Sequence, residues 1–425
     1  MAQITVPRGT RDLLPEELVL WQFIERTALS VFNTYNFKEL RTPIFESTEL
    51  FTRGIGDNTD IISKEMYTFL DRKGRSLTLR PEGTASIVRA YLEHKLHATE
   101  AVSKLWYQGP MFRYERPQAG RYRQFYQIGC EVLGANTSFH DTEVITMAQQ
   151  IFESIGLKDL EININSVGCK VCRPVIKERL KSFLGENLEH LCEDCTKRFD
   201  QNPLRILDCK NEKCNAHFVG LPDISDVLCG ECKEHFHDVQ NYLNIMRVNY
   251  KINPRLVRGL DYYTKTVFEI TSSHLGAQNA VCGGGRYDNL VKELGGPAVP
   301  AVGFAFGVDR AVMILQNQAV QVPKPKPFVY FVALGENAGN RAAILVNKLR
   351  RKNIPVEIDV SERGFGGKLK AADKLGVHYA YIIGDEELVK KTGQLKEMKT
   401  GKQIKVPFDK VIATLEKKYK KVSSK

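Results

Sequence analysis

The sequence has no long apolar run at either end, which predicts neither a secretory signal nor a membrane anchor; a cytoplasmic protein is expected. It has no internal repeat with a period of about 20–50 residues, which excludes solenoids and propellers. One glycine-rich stretch, CGGGRYDNLV (282–291), lacks the spacing of both the Walker loop and the dinucleotide fingerprint, so it reads as a tight turn carrying Tyr287. Acidic residues are scarce in the C-terminal region. Residues 322–425 hold 23 Lys and Arg against 11 Asp and Glu, a surplus of 12 in a chain whose total is +11. The basic excess therefore belongs to that region alone. It fits a module that meets a polyanion such as nucleic acid, or else a solvated lysine-rich face.

Hydrophobic residues make up 43% of the 425, enough for two or three domains with their own cores. Residues 15–36 place Leu18, Trp21, Ile24, Ala28, Val31 and Phe32 at helical spacing. FKELRTPIFE (37–46) predicts a strand running into an extended turn at the proline. SLTLRPEGTASIVRAYLE (76–93) reads as a strand, a turn and a helix beginning near Thr84. LEININSV (160–167), VFEIT (267–271) and AVGFAF (301–306) read as strands, and residues 169–250 are charged and helical in pattern. Three prolines within residues 322–327 predict an extended linker. Beyond it FVYFVALG, RAAILVNKLRRKN, PVEIDVSE, GGKLKAADKLG and AYIIGDEE alternate strand and helix, a small α/β domain.

MFRYERPQAGRYRQFYQIGCE (111–131) crowds four arginines into residues 113–123. Read as a hairpin turning at RPQAG, it puts Arg113 and Glu115 on one face of the first strand. Arg123, Phe125, Gln127, Gly129 and Glu131 share one face of the second, with Tyr126, Ile128 and Cys130 directed into packing. Such a floor suits a ligand with anionic and hydrogen-bonding parts, since a guanidinium donates two parallel bonds to phosphate. The alternative is an exposed salt-bridge ladder, worth little energetically; the flanking aromatics favour burial. LVRGLDYYTKTVFE (256–269) places Arg258 in a turn beside Asp261, Tyr262 and Tyr263. AVGFAFGVDRAVMIL (301–315) puts Asp309 and Arg310 where a helix starts, after small residues that let a flat group approach.

Ten cysteines are present, and eight form close pairs: Cys169/Cys172, Cys192/Cys195, Cys209/Cys214 and Cys229/Cys232. Cys130 and Cys282 stand alone in apolar stretches and read as packed thiols. Paired spacing in a reducing compartment points to structural zinc rather than disulfides. Taken in chain order, 169/172 with 192/195 and 209/214 with 229/232 each have zinc-ribbon spacing. One site drawn from the later six, with His217 or His235 as spare ligands, is an alternative, as are helix-packed thiols without metal.

TPIFE (42–46), LRPEGTA (79–85), FRYERPQAGRYRQF (112–125), RGLDYYTKTVFE (258–269), GGGRYDNLV (283–291) and GFAFGVDR (303–310) together resemble the histidyl-tRNA synthetases of bacterial type. The resemblance spans nearly the whole chain. Asp309 departs from it, standing where the family more often has Glu, and so does the number of cysteines. It implies an α+β catalytic domain with a mainly antiparallel class II sheet (1–168 and 251–321), a helical cysteine-rich insertion (169–250), a linker (322–327) and an α/β anticodon-binding domain (328–425). It implies a homodimer, with TPIFE at the contact, and a ligase that uses ATP with Mg²⁺, L-histidine and tRNA(His). Arg113 and Arg258 would be catalytic. Arg113, Glu115, Arg121 and Arg310 would hold ATP. Histidine would meet Glu82, Gly83, Thr84, Arg113, Gln127, Glu131, Arg258, Tyr262 and Tyr263, with Tyr287 peripheral. Arg116 and Gln118 would approach the tRNA acceptor end, and the insertion would clamp that arm. Two rivals are a histidine-sensing regulatory subunit of ATP phosphoribosyltransferase and a general RNA-binding protein with a zinc module. The first kind lacks the terminal domain and the RGLDYY arginine; the second has no use for Glu82, Gln127 and Glu131.

Overall fold

Pro15 opens the first helix, α1 (Pro15–Thr34), with Glu16 and Glu17 in its first turn, where acidic groups suit the exposed N–H ends. Its stripe of Trp21, Ile24, Ala28, Val31 and Phe32 is buried as the spacing predicts. The computed structural model describes residues 3–56, 59–185, 187–209, 211–221, 223–276 and 279–423. The chain divides into two units, Met1–Val322 and Pro323–Lys425.

In the first unit, short strands come first: β1 (Lys38–Glu39), β2 (Phe45–Ser47), β3 (Tyr67–Leu70) and β4 (Ser76–Leu79). The last three form a small sheet in the order β2-β4-β3. Then follow β5 (Ser103–Phe112), β6 (Gln124–Leu133), β7 (Leu160–Ser166), β8 (Lys251–Ile252), β9 (Thr264–Ser272), β10 (Ala280–Arg286) and β11 (Ala301–Gly307). With β1 they make an eight-stranded sheet, β1-β5-β6-β11-β10-β9-β7-β8. Only the outermost pairs, β1 with β5 and β7 with β8, run parallel, so the expected mainly antiparallel sheet is found. The stretch read as a turn at CGGGRYDNLV is mostly strand β10: Gly283, Gly284 and Gly285 pair on both sides, and only from Tyr287 does the chain turn.

The sheet separates two cores. On one face α1, α4 (Ser138–Ser154) and α10 (Val308–Asn317) cover Trp106, Ile128, Cys130, Val132 and Phe304; Phe32 stacks 5.0 Å from Trp106. On the other lie Leu105, Tyr107, Tyr262 and Tyr263 with α3 (Thr84–Glu93). The cysteine region adds α5 (Cys172–Gly185), α6 (Glu193–Gln201), a 3-10 turn at Pro203–Asp208, α7 (Glu212–Ala216) and α8 (Gly230–Ile245), and is helical as expected.

The second unit carries a five-stranded sheet, β13-β12-β14-β15-β16, built from β12 (Val329–Ala333), β13 (Val356–Asp359), β14 (Tyr379–Ile383), β15 (Thr392–Glu397) and β16 (Gln403–Pro407). The first three are parallel, as alternating strand and helix predict. The final hairpin, β15 with β16, escaped the sequence reading because lysines obscure its alternation.

A buried ion pair joins these layers. Arg286, fully buried at the end of β10, donates from Nε to Asp141 on α4 (3.1 Å), from Nη1 to the Ala135 carbonyl (2.8 Å) and from Nη2 to the Thr137 carbonyl (3.1 Å). Asp141 also meets His235 of α8 at 3.3 Å. Removing one partner strands a charge in the interior. Arg286→Met is expected to lower unfolding free energy by about 3–5 kcal/mol in a denaturant titration, and Arg286→Met with Asp141→Asn to recover part of it. A loss below about 1 kcal/mol would contradict this.

Candidate functional site

The arginine-rich stretch is not strand throughout. β5 ends at Phe112 and β6 begins at Gln124, so Arg113, Glu115, Arg121 and Arg123 sit in the loop between them, where alternation no longer decides direction. That corrects the expectation for Arg123. Its guanidinium lies 3.8 Å over the Tyr114 ring and donates to the Glu115 carbonyl (3.3 Å), outside the cleft. Within β6 the alternation holds: Phe125 and Gln127 line the cleft, while Ile128 and Cys130 enter the opposite core.

Four guanidinium groups, Arg113, Arg121, Arg258 and Arg310, line one cavity of about 210 Å³ together with two carboxylates, Glu115 and Asp309. Ala280, Gly283, Ala305 and Gly307 supply a floor of small residues. Each arginine has a protein partner that holds it. Arg113 donates from Nε to the Pro81 carbonyl (2.9 Å) and stacks 5.3 Å from the Phe125 centroid. Arg121 pairs with Glu115. Arg258 donates from Nη1 to Glu269 (2.6 Å), and Arg310 from Nη1 to the Ala280 carbonyl (2.5 Å). Gly283 is required beside Arg258: a Cβ there would stand 1.9 Å from Nη2.

Electrostatics set these groups apart. Burial first, and neighbouring guanidinium groups after it, lower the pKa values of Arg113, Arg121 and Arg310. Arginine stays charged regardless, so the shifts record burial in the main, to which the neighbouring guanidinium groups add. Burial works the same way on Arg258, but Glu269, with Tyr263 and Asp208, outweighs it and the pKa is raised. Asp309 is spoken for: Oδ2 accepts from the Tyr126 N–H (3.1 Å) and Oδ1 from Arg11 Nη2 (3.1 Å).

Beside the cavity lies a buried cluster of acids and tyrosines. Glu131 accepts from the Thr84 hydroxyl (2.7 Å) and from the Tyr287 hydroxyl. Glu82 accepts from the backbone N–H groups of Thr84 (2.7 Å) and Ala85 (2.8 Å), capping α3. Gly83 fits under the Tyr107 ring, 2.1 Å from where its Cβ would fall. Tyr262 packs on Tyr263 and Tyr287 at 4.8 and 5.4 Å. Tyr287 is therefore central to this cluster, not peripheral, because the strand before it carries it inward. Burial pushes Glu131 up to about 8, against the hydrogen bonds from Tyr287 and Thr84, with Glu82 adding to the rise. Gln127 Oε1 is buried without a hydrogen-bond partner among the described residues. Arg116 and Gln118 are exposed in the loop over the cleft.

Tyr107, Glu269 and Arg11 were not singled out in the sequence. Tyr107 was available from the alternation of β5, and Glu269 from the VFE that ends the RGLDYY motif; Arg11 lies in an arm with no periodicity.

The cysteines gather differently from their chain order. Cys169, Cys172, Cys229 and Cys232 form one cluster, and Cys192, Cys195, Cys209 and Cys214 another, each with all sulfurs within 4.8 Å. The second is thus enclosed by the first, because α5 and α8 bring the outer pairs together. Neighbouring sulfurs stand 3.8 Å apart in one and 3.9 Å in the other. A tetrahedral zinc with bonds of about 2.3 Å spaces four sulfurs about 3.8 Å apart, so both donor sets fit. Backbone N–H groups of Cys229 and Cys192 point at the sulfurs of Cys172 and Cys214, both at 3.1 Å, as thiolates require. The spare histidines are not ligands: His235 meets Asp141 and His217 meets Asn187 at 3.2 Å.

The family model described as "Histidyl-tRNA synthetase" matches residues 9–193 and 210–311, and that of an "Anticodon binding domain" matches 328–418. A curated histidine–tRNA ligase of Desulfitobacterium hafniense is 50% identical over 415 residues, covering 97% of this chain and 98% of the relative. One of Halothermothrix orenii is 48% identical, covering 97% and 99%. The crystal structure of apo histidyl-tRNA synthetase from S. aureus superposes with a TM-score of 0.82 at 38% identity, covering 97% of this chain and all of that one.

The raised pKa of Glu131 has a measurable consequence. Folded, the carboxyl keeps its proton up to about pH 8; unfolded, it loses it near its ordinary value of about 4.3. Between these values the native state binds more protons than the unfolded one, so stability falls as pH rises. Glu131→Gln removes that dependence. Relative to the parent it is expected to gain about 1.4 kcal/mol per pH unit across this window in unfolding titrations. A pH-independent difference would contradict the assignment.

Proposed function

The chain belongs to the histidyl-tRNA synthetase family, and we propose on that footing how its residues divide the work of a histidine–tRNA ligase. The enzyme joins histidine to ATP, giving histidyl-adenylate and pyrophosphate, then passes the histidyl group to the 3′ end of tRNA(His) and releases AMP. Mg²⁺ accompanies the ATP and offsets phosphate charge.

The first step is in-line attack of the histidine carboxylate on the α-phosphorus. It needs positive charge where the equatorial oxygens gain negative charge, and little covalent help. Arg113 takes the α-phosphate. Arg258, placed beside the reacting carboxylate and fixed by Glu269, meets the same developing charge from the histidine side. Arg121 steadies the distal phosphates with Glu115 near the nucleotide, and Arg310 holds the phosphate tail and covers adenine, whose flat ring the small-residue floor admits. The observation that carries this reading is the convergence of these four guanidinium groups on one cavity beside a buried acid cluster.

Glu131 and Gln127 recognise the imidazole. The unpartnered Gln127 Oε1 and the carboxyl of Glu131 both lose if a side chain without ring N–H groups is bound, which is how such a pocket rejects near-isosteres. Glu82 and Thr84 receive the substrate amino group at the start of α3, where Gly83 lets the backbone approach, and Tyr262, Tyr263 and Tyr287 close the pocket.

Residues 1–168 and 251–321 form the catalytic domain, 169–250 the insertion, 322–327 the linker and 328–425 the anticodon-binding domain. Arg116 and Gln118 reach the acceptor end of the tRNA, and the basic second unit takes the anticodon arm. The two cysteine clusters hold structural zinc: four sulfurs leave no open position, and adenylate chemistry needs none. The enzyme works in the cytoplasm as a homodimer. The exposed Ile44, Phe45 and Phe69 around the small sheet support such a contact.

Arg258→Ala is expected to lower histidine-dependent ATP–pyrophosphate exchange on the order of 10²–10³-fold, while the dissociation constant for histidine alone changes far less. An equal loss in both would sink the catalytic role.

A further inference from the structure

The loop that carries Arg258 has little structure of its own. Residues 253–263 contain no helix or strand. What surrounds them on one side is the cysteine module. Asn202 Nδ2 donates to Asp261 Oδ1 at 2.8 Å. Arg173, the residue after Cys172, donates from Nη2 to the Tyr263 carbonyl (2.5 Å) and from Nε to the Val167 carbonyl (3.2 Å). Arg255 donates from Nη2 to Asn215 Oδ1 (2.5 Å), next to Cys214, and lies 5.0 Å over the Phe218 ring. Each contact thus ties the Arg258 loop to a point within a few residues of a cysteine cluster or to the segment between Cys195 and Cys209.

That segment also reaches the opposite wall. Arg198 and Arg205 both donate to Asp60 Oδ2, at 2.9 and 3.0 Å, from the stretch running through Asn202. Leu204, Ile206 and Leu207 of the same segment are buried. Burial opposes the charge of Arg258, and Glu269 first, then Tyr263 and Asp208 of this segment, together outweigh it. Much of this segment falls in residues 194–209, between the two stretches matched by the family model.

Two of the module's helices are short: α6 has nine residues and α7 five, against 14 for α5 and 16 for α8. Helices of that length do not hold themselves together in water. In such elements metal binding supplies folding free energy directly. The contact made by Asn202, at the end of α6, then depends on the cluster beside it, and that of Arg173 on the cysteine one residue away.

We propose that the metal-loaded cysteine module is a brace for the Arg258 loop, so that zinc in it governs histidine activation itself and not only the handling of tRNA. The proposal rests on the reading that the clusters bind zinc. Asn202 and Arg173 are positioning residues: they touch neither the cavity of the four arginines nor the acid cluster, and act through Asp261 and the Tyr263 carbonyl. Losing the brace lets Arg258 leave the arrangement that serves the adenylation step while Arg113 and Arg310, held by the Pro81 and Ala280 carbonyls, stay in place.

The test uses the full chain and no tRNA. Bound zinc is counted by elemental analysis, then removed with a chelator and restored. Histidine-dependent ATP–pyrophosphate exchange and backbone hydrogen exchange of residues 253–263 are followed at each stage. Stripping is expected to cut exchange kcat about tenfold or more, the scale on which outer-shell partners act, and to speed hydrogen exchange across 253–263; restoring zinc reverses both. Asn202→Ala, which leaves all eight cysteines intact, is expected to keep its zinc, loosen the same residues and lower kcat several-fold with the KM for ATP unchanged. If zinc is bound but its removal leaves exchange kcat and the protection of 253–263 unaltered, the brace is overturned while the zinc reading stands. If the chain takes up no zinc, both fall together. Asn202→Ala with parental kinetics and protection also overturns it.

Discussion

Like charges held together out of water are the constraint from which the rest of this structure follows. Arg113, Arg121, Arg258 and Arg310 face one cavity across two carboxylates, one of them already engaged by Arg11 and a backbone N–H. Burial and mutual repulsion both work against such a set. It persists because each guanidinium is tied: to a carbonyl for Arg113 and Arg310, to a carboxylate for Arg121 and Arg258. All four line the one cavity, where a polyphosphate would offset their charge. These ties, made from loops for Arg113, Arg121 and Arg258 and from α10 for Arg310, fix their directions over a sheet whose glycines and alanines floor the cavity. Preorganisation of this kind is where an enzyme of phosphoryl chemistry gains most, because reorienting dipoles during reaction is what water must do and a fixed site need not.

Next to that positive field sits its opposite, a cluster where a carboxyl is kept neutral. Glu131 lies under Tyr287, Thr84 and Tyr107, and burial pushes it up to about 8. The two halves suit the two substrates of a histidine–tRNA ligase: one for a group that is always anionic, the other for a ring that both donates and accepts hydrogen bonds. The buried pair of Arg286 and Asp141 supports this division, since Arg286 precedes Tyr287 and so anchors the residue that caps Glu131.

Much of this was legible in the residues. The stripe from Trp21 to Phe32 is periodic enough to give α1, and strict alternation from Phe125 to Glu131 separates site from core along β6. The motif residues at 82–84, 113, 127, 131, 258 and 310 could be gathered because they match a family pattern, though their spacing alone would not have placed them together. What was hidden has physical causes. Three successive glycines look like a turn, yet at 283–285 they are strand, where Cβ atoms would collide with Arg258 and neighbouring backbone. Arg123 left its expected face because the loop, not the strand, positions it. The cysteines were paired along the chain, whereas helix packing encloses the middle four within the outer four; linear spacing carries no information about such nesting. Glu269 and Tyr107 lie on readable strands, but their partners, Arg258 and Gly83, do not follow from that, since placement across the fold is invisible until the sheet is formed.

The account stands or falls on whether one anion and one imidazole are held at once by the groups named. The crystal structure of the full chain with a non-hydrolysable histidyl-adenylate analogue tests this directly. It is expected to place the phosphate oxygens within hydrogen-bond distance, about 3 Å, of Arg113 and Arg258, with the imidazole against Glu131 and Gln127. A phosphate bound away from both arginines, or an imidazole outside the Glu131 pocket, would contradict it.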